Sequence, residues 1–301
     1  MDVTIAGPDG GPLEWVTGFV LSALGRGERA DAVALRFLLG RYCATGRDDL
    51  RDALEPALAR ASEDQLTAET SDQCAEWLTL FAEAVAVSGD ERLRTAATDL
   101  LDALRKDWGY TTSVAAGVAS VDACLGASHL VDPRTLVPQA IDELERFVTS
   151  AYRPGEGLAR LVNEPAGPRG RLLDHVRTSA ALLTAFGITG RLPYAMLAEE
   201  LMQVARRTLW DEAAGGFFES SDSRRKPFAL NCDASRVLCR IAALHRDNDY
   251  RAAAVLAPDS DYAHDVARIL IAHAETYREH GLASASYGLA LEEWMRGQSS
   301  I

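Results

Sequence analysis

The stretch Gly170-Arg171-Leu172-Leu173-Asp174-His175 opens a run that becomes almost wholly apolar from Ala180 to Ile188. A short connection, Ile188 to Leu192, leads to a second run from Pro193 to Leu209, and Trp210-Asp211-Glu212-Ala213-Ala214-Gly215-Gly216-Phe217-Phe218 follows it. The first run is apolar all round, the pattern of a helix buried on most sides. The second places Leu197, Leu201, Val204, Ala205 and Leu209 on one face, at helical spacing. Its other face, with Glu199, Glu200, Gln203, Arg206 and Arg207, is expected to be wet. Pro193 suits the first helical position, where its missing N–H costs nothing. The unit therefore reads as inner helix, tight turn, outer helix and long aromatic-and-glycine loop.

The same unit recurs outward from this one. Inner and outer helices are expected at about 30–44 and up to Arg60, 72–88 and 93–106, 114–130 and 136–149, and from Asp233 to His245, with an outer stretch interrupted near Pro258. The last inner helix is expected over 282–294, and a helix over 13–24 is the candidate partner that closes a ring. A short strand at Val3–Ile5 is possible before it. Six inner helices about 40 to 60 residues apart form a helical repeat. The expected fold is all-α, an (α/α)6 toroid occupying residues 1–301 as one domain. A linear α-solenoid is the rival, because hairpin repeats alone do not force closure. In the toroid the long loops and the inner-helix N-termini gather at one end, where backbone N–H groups suit oxygen-rich ligands.

Composition narrows the function. A net charge of −13 argues against nucleic acid or an anionic membrane surface as partner. No apolar run reaches the roughly 18 residues of a membrane span. The N-terminus lacks a basic signal region, so a cytoplasmic protein is expected. Five cysteines without a C-x-x-C pair suggest free thiols in a reducing compartment. The six histidines have no ligand spacing, so no metal is expected; glycine patterns for nucleotides are missing too, and no cofactor is expected.

The Gly170–His175 and Trp210–Phe218 segments resemble two elements of the YyaL-type, spermatogenesis-associated thioredoxin-domain proteins. These are a Gly-x-Leu-Asp-Asp-Tyr element and a Trp-Asp-x-x-x-Gly-Gly-Phe-Phe loop. The resemblance covers about 170–294 and implies a six-hairpin, glycosidase-like barrel akin to sugar epimerases and glycoside hydrolases. The family's thioredoxin domain is missing here, its second acidic residue is His175, and its Asp-Gly-Ala-Thr-Pro-Ser segment is reduced to Asn231-Cys232-Asp233-Ala234-Ser235.

Three groups of residues are candidates for chemistry. Asp174 and His175 at the start of the fourth inner helix, with Asp233 at the fifth, suit general acid/base work on a sugar. The plainer reading of Asp174 is a favourable carboxylate at a helix N-terminus. Asp72 and Glu76, one turn apart on the second inner helix, form a further pair, and Arg236 neighbours Asp233. Trp77, Tyr110, Asn163, Glu164, Asn231 and Phe217 are candidate saccharide contacts, although large aromatics beside glycines more often pin a loop. The expected activity is that of a glycoside hydrolase or sugar epimerase with a small saccharide ligand. The alternative is an inactive relative that binds a ligand or partner through the same mouth.

Overall fold

The computed structural model describes residues 11–64, 70–164, 166–253 and 256–299. The strand expected at Val3–Ile5 lies outside them. Thirteen α-helices are described: α1 (Gly11–Gly25), α2 (Ala32–Thr45), α3 (Asp48–Asp64), α4 (Ser71–Ser88), α5 (Glu91–Asp107), α6 (Val114–Gly126) and α7 (Pro133–Ala151), then α8 (Leu172–Thr189), α9 (Leu192–Leu209), α10 (Phe228–Leu244), α11 (Asn248–Ala253), α12 (Tyr262–His273) and α13 (Ser284–Ser299). A two-stranded antiparallel hairpin, β1 (Tyr152–Arg153) and β2 (Gly157–Leu158), follows α7.

Helices α2, α4, α6, α8, α10 and α13 each pack on the next, and α13 packs back on α2. The ring is therefore closed, which rules out the linear solenoid. Around it lie α3, α5, α7, α9, α12 and α1, each against its inner partner, with α1 on α13. This is the (α/α)6 toroid. The inner helices run in one direction because a single return layer separates each from the next. Their N-termini form the loop-rich end.

Local chemistry sets the turns. Three inner helices end on glycines in the left-handed region, Gly46, Gly89 and Gly190, whose N–H groups bond the carbonyls of Tyr42, Val85 and Phe186. Only glycine takes that conformation without a Cβ penalty, so the chain reverses within two or three residues. The next helix starts at once where Asp90 accepts from Arg92 N–H, and where Asp132 accepts from Arg134 N–H.

A boundary and a helix face differ from expectation. Helix α10 begins at Phe228, directly after Pro227, so Asp233 stands in its second turn rather than at its cap. The polar side of α9 is only partly wet: Arg207 is exposed, while Glu200, Gln203 and Arg206 are half-buried. Glu199 is fully buried, and its carboxylate accepts from Tyr262 Oη at 3.0 Å, from the N–H groups of Leu256 and Ala257 at 3.2 Å, and from Tyr250 Oη at 3.4 Å. His245 Nε2 lies 2.9 Å from the same carboxylate. Gln203 donates to Ser260 and Tyr262, and Arg206 pairs with Asp265 at 2.7 Å. Positions i, i+4 and i+7 of α9 thus form a polar seam that carries α12 and the chain before it.

Candidate functional site

The axis of the ring is a cavity of about 330 Å³ lined by all six inner helices. Its wall is made of small residues, among them Ala32, Ala75, Ala119 and Ala180, interrupted by ten charged side chains. Six are acids: Asp72, Glu76, Glu83, Asp122, Asp233 and Glu293. Four are arginines: Arg36, Arg177, Arg236 and Arg240. Helical spacing explains the lining. Asp72, Glu76, Thr79 and Glu83 follow i, i+4, i+7, i+11 on α4, and Asp233, Arg236 and Arg240 follow i, i+3, i+7 on α10.

Ion pairs tie the staves of the barrel together, two between neighbouring helices and one, from α8 to α4, past α6. Arg177 Nη1 meets Asp72 Oδ1 at 2.7 Å near the N-terminal mouth. Arg36 grips both oxygens of Glu83, with Nε to Oε2 at 2.8 Å. Arg236 Nε lies 3.1 Å from Glu293 Oε2, and its Nη1 lies 3.8 Å from Asp233 Oδ1. Arg240 reaches only neutral oxygens, the Ala180 carbonyl at 3.2 Å and Thr184 Oγ1 at 3.3 Å.

Glu76 has a different environment. Its side chain is open to the channel, but the six helices enclose it. This enclosure, reinforced by the charges of Asp31, Asp233 and Asp72 and opposed by Arg177, raises its pKa to about 7. Enclosure also raises Asp233, against the pull of Arg236, Arg177 and Arg36. The channel therefore holds a carboxyl group that exchanges its proton near neutral pH, among five other carboxylates of which four lie beside arginines.

The structure distributes the expected site residues unevenly. Asp72, Glu76, Asp233 and Arg236 line the channel together. Asp174 and His175 are not among the lining side chains. Asp174 is 3% exposed, one carboxylate oxygen lacks a hydrogen-bond partner, and burial raises its pKa to about 6. His175 is fully buried on the side of α8 that faces the β hairpin. Its Nδ1 sits 2.8 Å from the Arg171 carbonyl, and its Nε2 packs against Gly157 so closely that a Cβ there would stand 2.2 Å away. Burial lowers the His175 pKa, leaving the ring neutral.

The proposed saccharide contacts also separate. Asn231 accepts from Phe217 N–H and donates to the Phe217 and Pro227 carbonyls, so its amide is committed to the loop. Phe217 is fully buried and meets Trp210 edge-on at 4.9 Å. Trp77 stacks with Phe81 against the core, Tyr110 is 86% exposed, and Asn163 and Glu164 lie on the exposed loop before α8. The motif Trp-Asp-x-x-x-Gly-Gly-Phe is a self-contained strap: Asp211 accepts from the N–H groups of Ala213 and Ala214 and pairs with Lys226 at 2.6 Å.

Sequence reasoning missed Arg36, Glu83, Asp122, Arg177, Arg240 and Glu293. The available signal was charge recurring every three or four residues on otherwise apolar inner helices. Among the described residues there is no cluster suited to a metal ion, and no helix is long and apolar enough to cross a membrane.

No family model and no curated protein matches the chain. Solved structures do. An unsaturated glucuronyl hydrolase from Bacillus sp. GL1 is 12% identical at a TM-score of 0.69, with 94% of this chain and 96% of that one covered. A D-mannose isomerase is 11% identical at a TM-score of 0.65, with 89% and 87% covered. An inactive variant of an α-1,6-mannanase from Salegentibacter sp. HEL1_6, in complex with α-1,6-mannotetrose, is 13% identical at a TM-score of 0.53. That match covers 68% of this chain, which spans 60% of the mannanase. The likeness establishes the six-hairpin glycosidase-like fold. It does not extend to membership of the YyaL-type family.

Proposed function

We propose that this protein processes a small saccharide inside the axial channel, as a sugar isomerase or glycoside hydrolase, with Glu76 as the proton-transfer group. The observation that carries the reading is the Glu76 carboxyl held near neutrality on the wall of an enclosed polar cavity. General acid/base catalysis is most effective when the catalytic pKa lies close to working pH. A cavity of about 330 Å³ is at the small end of ligand pockets, which suits one or two sugar rings rather than a long chain. The solved structures of this fold include enzymes acting on glycosides and one acting on mannose.

The surroundings favour isomerisation. Asp72, Glu83 and Glu293 are bound in close ion pairs, Asp233 leans on Arg236, and Asp122 lies deeper on α6, so Glu76, whose pKa is raised to about 7, is the carboxyl group best able to move a proton. A single base on one face of an enediol can take a proton from one carbon and return it to the next, while a second proton passes from the neighbouring hydroxyl to the carbonyl oxygen. In the hydrolytic version, neutral Glu76 protonates the leaving oxygen as its bond to the sugar carbon breaks, Asp233 or Asp72 supports the positive charge that develops there, and a water adds to that carbon and gives up a proton that restores Glu76. Asp174 and His175 have no place in either step.

A second reading is an inactive relative that binds a sugar in the same channel. The arginine pairing of Asp72, Glu83, Glu293 and Asp233 favours it. The test is incubation with a panel of aldoses, ketoses and aryl glycosides, followed by proton NMR. Turnover that Glu76→Gln lowers at least a thousandfold supports the enzyme. Binding without turnover supports the relative.

A further inference from the structure

Two opposite charges at the inner end of the channel do not meet. Asp122 stands in the third turn of α6, and Arg240 lies one turn before the end of α10. Both line the cavity, and only α8 separates their helices in the ring, so they reach the channel from either side of α8. Neither comes within 4.0 Å of the other, and Asp122 has no hydrogen bond or ion pair with any described residue. The guanidinium is bonded on one side only, to Ala180 and Thr184 of α8. The remaining charged groups at this depth are satisfied, Arg36 by Glu83 and Arg236 by Glu293.

A half-satisfied guanidinium and an unpartnered carboxylate on the wall of one cavity, on either side of α8, are complementary to a particular chemistry. The carboxylate only accepts and the guanidinium only donates. A hydroxyl does both. Neighbouring hydroxyls on one ligand can donate to the first and accept from the second, filling the gap with charge-assisted hydrogen bonds. An anionic ligand fits poorly. Its charge would find one arginine without an ion pair, near Asp122, in a channel whose acids outnumber its arginines six to four. A cationic ligand would face the same arginine.

We propose that Asp122 and Arg240 form a clamp for adjacent hydroxyls of an uncharged sugar, seating its non-reacting end at the floor of the channel beneath Glu76. This inference rests on the saccharide reading of the channel and adds to it the ligand class, a neutral polyol, and two binding residues. It also sets orientation, since the clamped hydroxyls lie deep and the reacting carbon lies toward the mouth.

The test is isothermal titration of the full chain with D-mannose, D-glucose and D-galactose, their monodeoxy forms, D-glucuronate and glucose 6-phosphate. The unaltered protein should bind a neutral hexose at least tenfold more tightly than glucuronate or the phosphate. Asp122→Asn and Arg240→Lys should each weaken that hexose at least tenfold. The monodeoxy form lacking the clamped hydroxyl should bind the variants and the parent alike. If a variant loses its helical circular dichroism, the unaltered protein decides. One monodeoxy form must then lose at least tenfold, and equal binding of all of them overturns the clamp. Hexose binding and turnover that both variants leave unchanged overturn the clamp while the saccharide reading stands. Tighter binding of glucuronate or the phosphate also overturns it, in favour of an anion seat. Binding of none of these sugars overturns the clamp and the saccharide reading together.

Discussion

Asn231 holds Phe217 by both ends of its peptide unit: Asn231 Oδ1 accepts the Phe217 N–H at 2.7 Å, and Nδ2 donates to the Phe217 carbonyl at 3.0 Å. The contact joins the first turn of α10 to the strap that closes the fourth hairpin. Asn231→Ala should cost about 2–4 kcal/mol, because it leaves two buried backbone groups without partners. Phe217→Ala, which empties a fully buried ring site, should cost about 3–5 kcal/mol. Urea unfolding followed by circular dichroism checks both; a loss below about 1 kcal/mol in each would contradict the strap.

The Glu199 carboxylate gathers donors from three parts of the chain after α10, with no exposure to solvent. Glu199→Ala should destabilise the protein by about 3–5 kcal/mol, as expected when one member of a buried charged network is removed. Hydrogen exchange should show opening concentrated in α11 and α12. Protection unchanged in that region would refute the seam.

Glu76 and Asp174 give the pH profile a definite sign. Their folded pKa values, about 7 and about 6, are raised above ordinary carboxylate values, 4.5 and 3.8. Their contribution to stability is complete below the unfolded values and is lost as pH rises through the folded ones. Thermal melts between pH 4.5 and 8 should show Glu76→Gln gaining on the parent as pH rises. Asp174→Asn should gain in a window about one unit lower. Parallel curves at all pH values would contradict both assignments.

All five cysteines are free, and burial raises Cys124 and Cys239 to about 12. A maleimide should label Cys43, the exposed one, first in the native protein, and all five after denaturation without reductant. Fewer than five labels in the denatured protein would reveal a disulfide.

The ring was legible because its signals are local. Apolar runs, turn glycines and the alternation of helix types repeat with the hairpin, and each is decided within a few residues. The site was only partly legible. Asp72, Glu76, Asp233 and Arg236 stand out by spacing and do line the channel. His175 sits beside Asp174 in sequence, yet one step along a helix turns a side chain by 100°, toward the hairpin rather than the axis. Glu199 looked solvated because a polar face on an outer helix has two possible neighbours, water or the next helix, and only tertiary packing chooses α12. Arg240 and Asp122 gave no signal at all as a pair, since more than a hundred residues separate them and only the packing of α6 and α10 on either side of α8 brings them to one channel.

The most direct test of the channel as the functional site is a crystal structure of the protein soaked with the tightest-binding neutral hexose. The account predicts the sugar on the axis, its reacting carbon within hydrogen-bond reach of Glu76 and its far hydroxyls toward Asp122 and Arg240. A sugar bound at the outer rim beside Asp174, with the axis left empty, would contradict it.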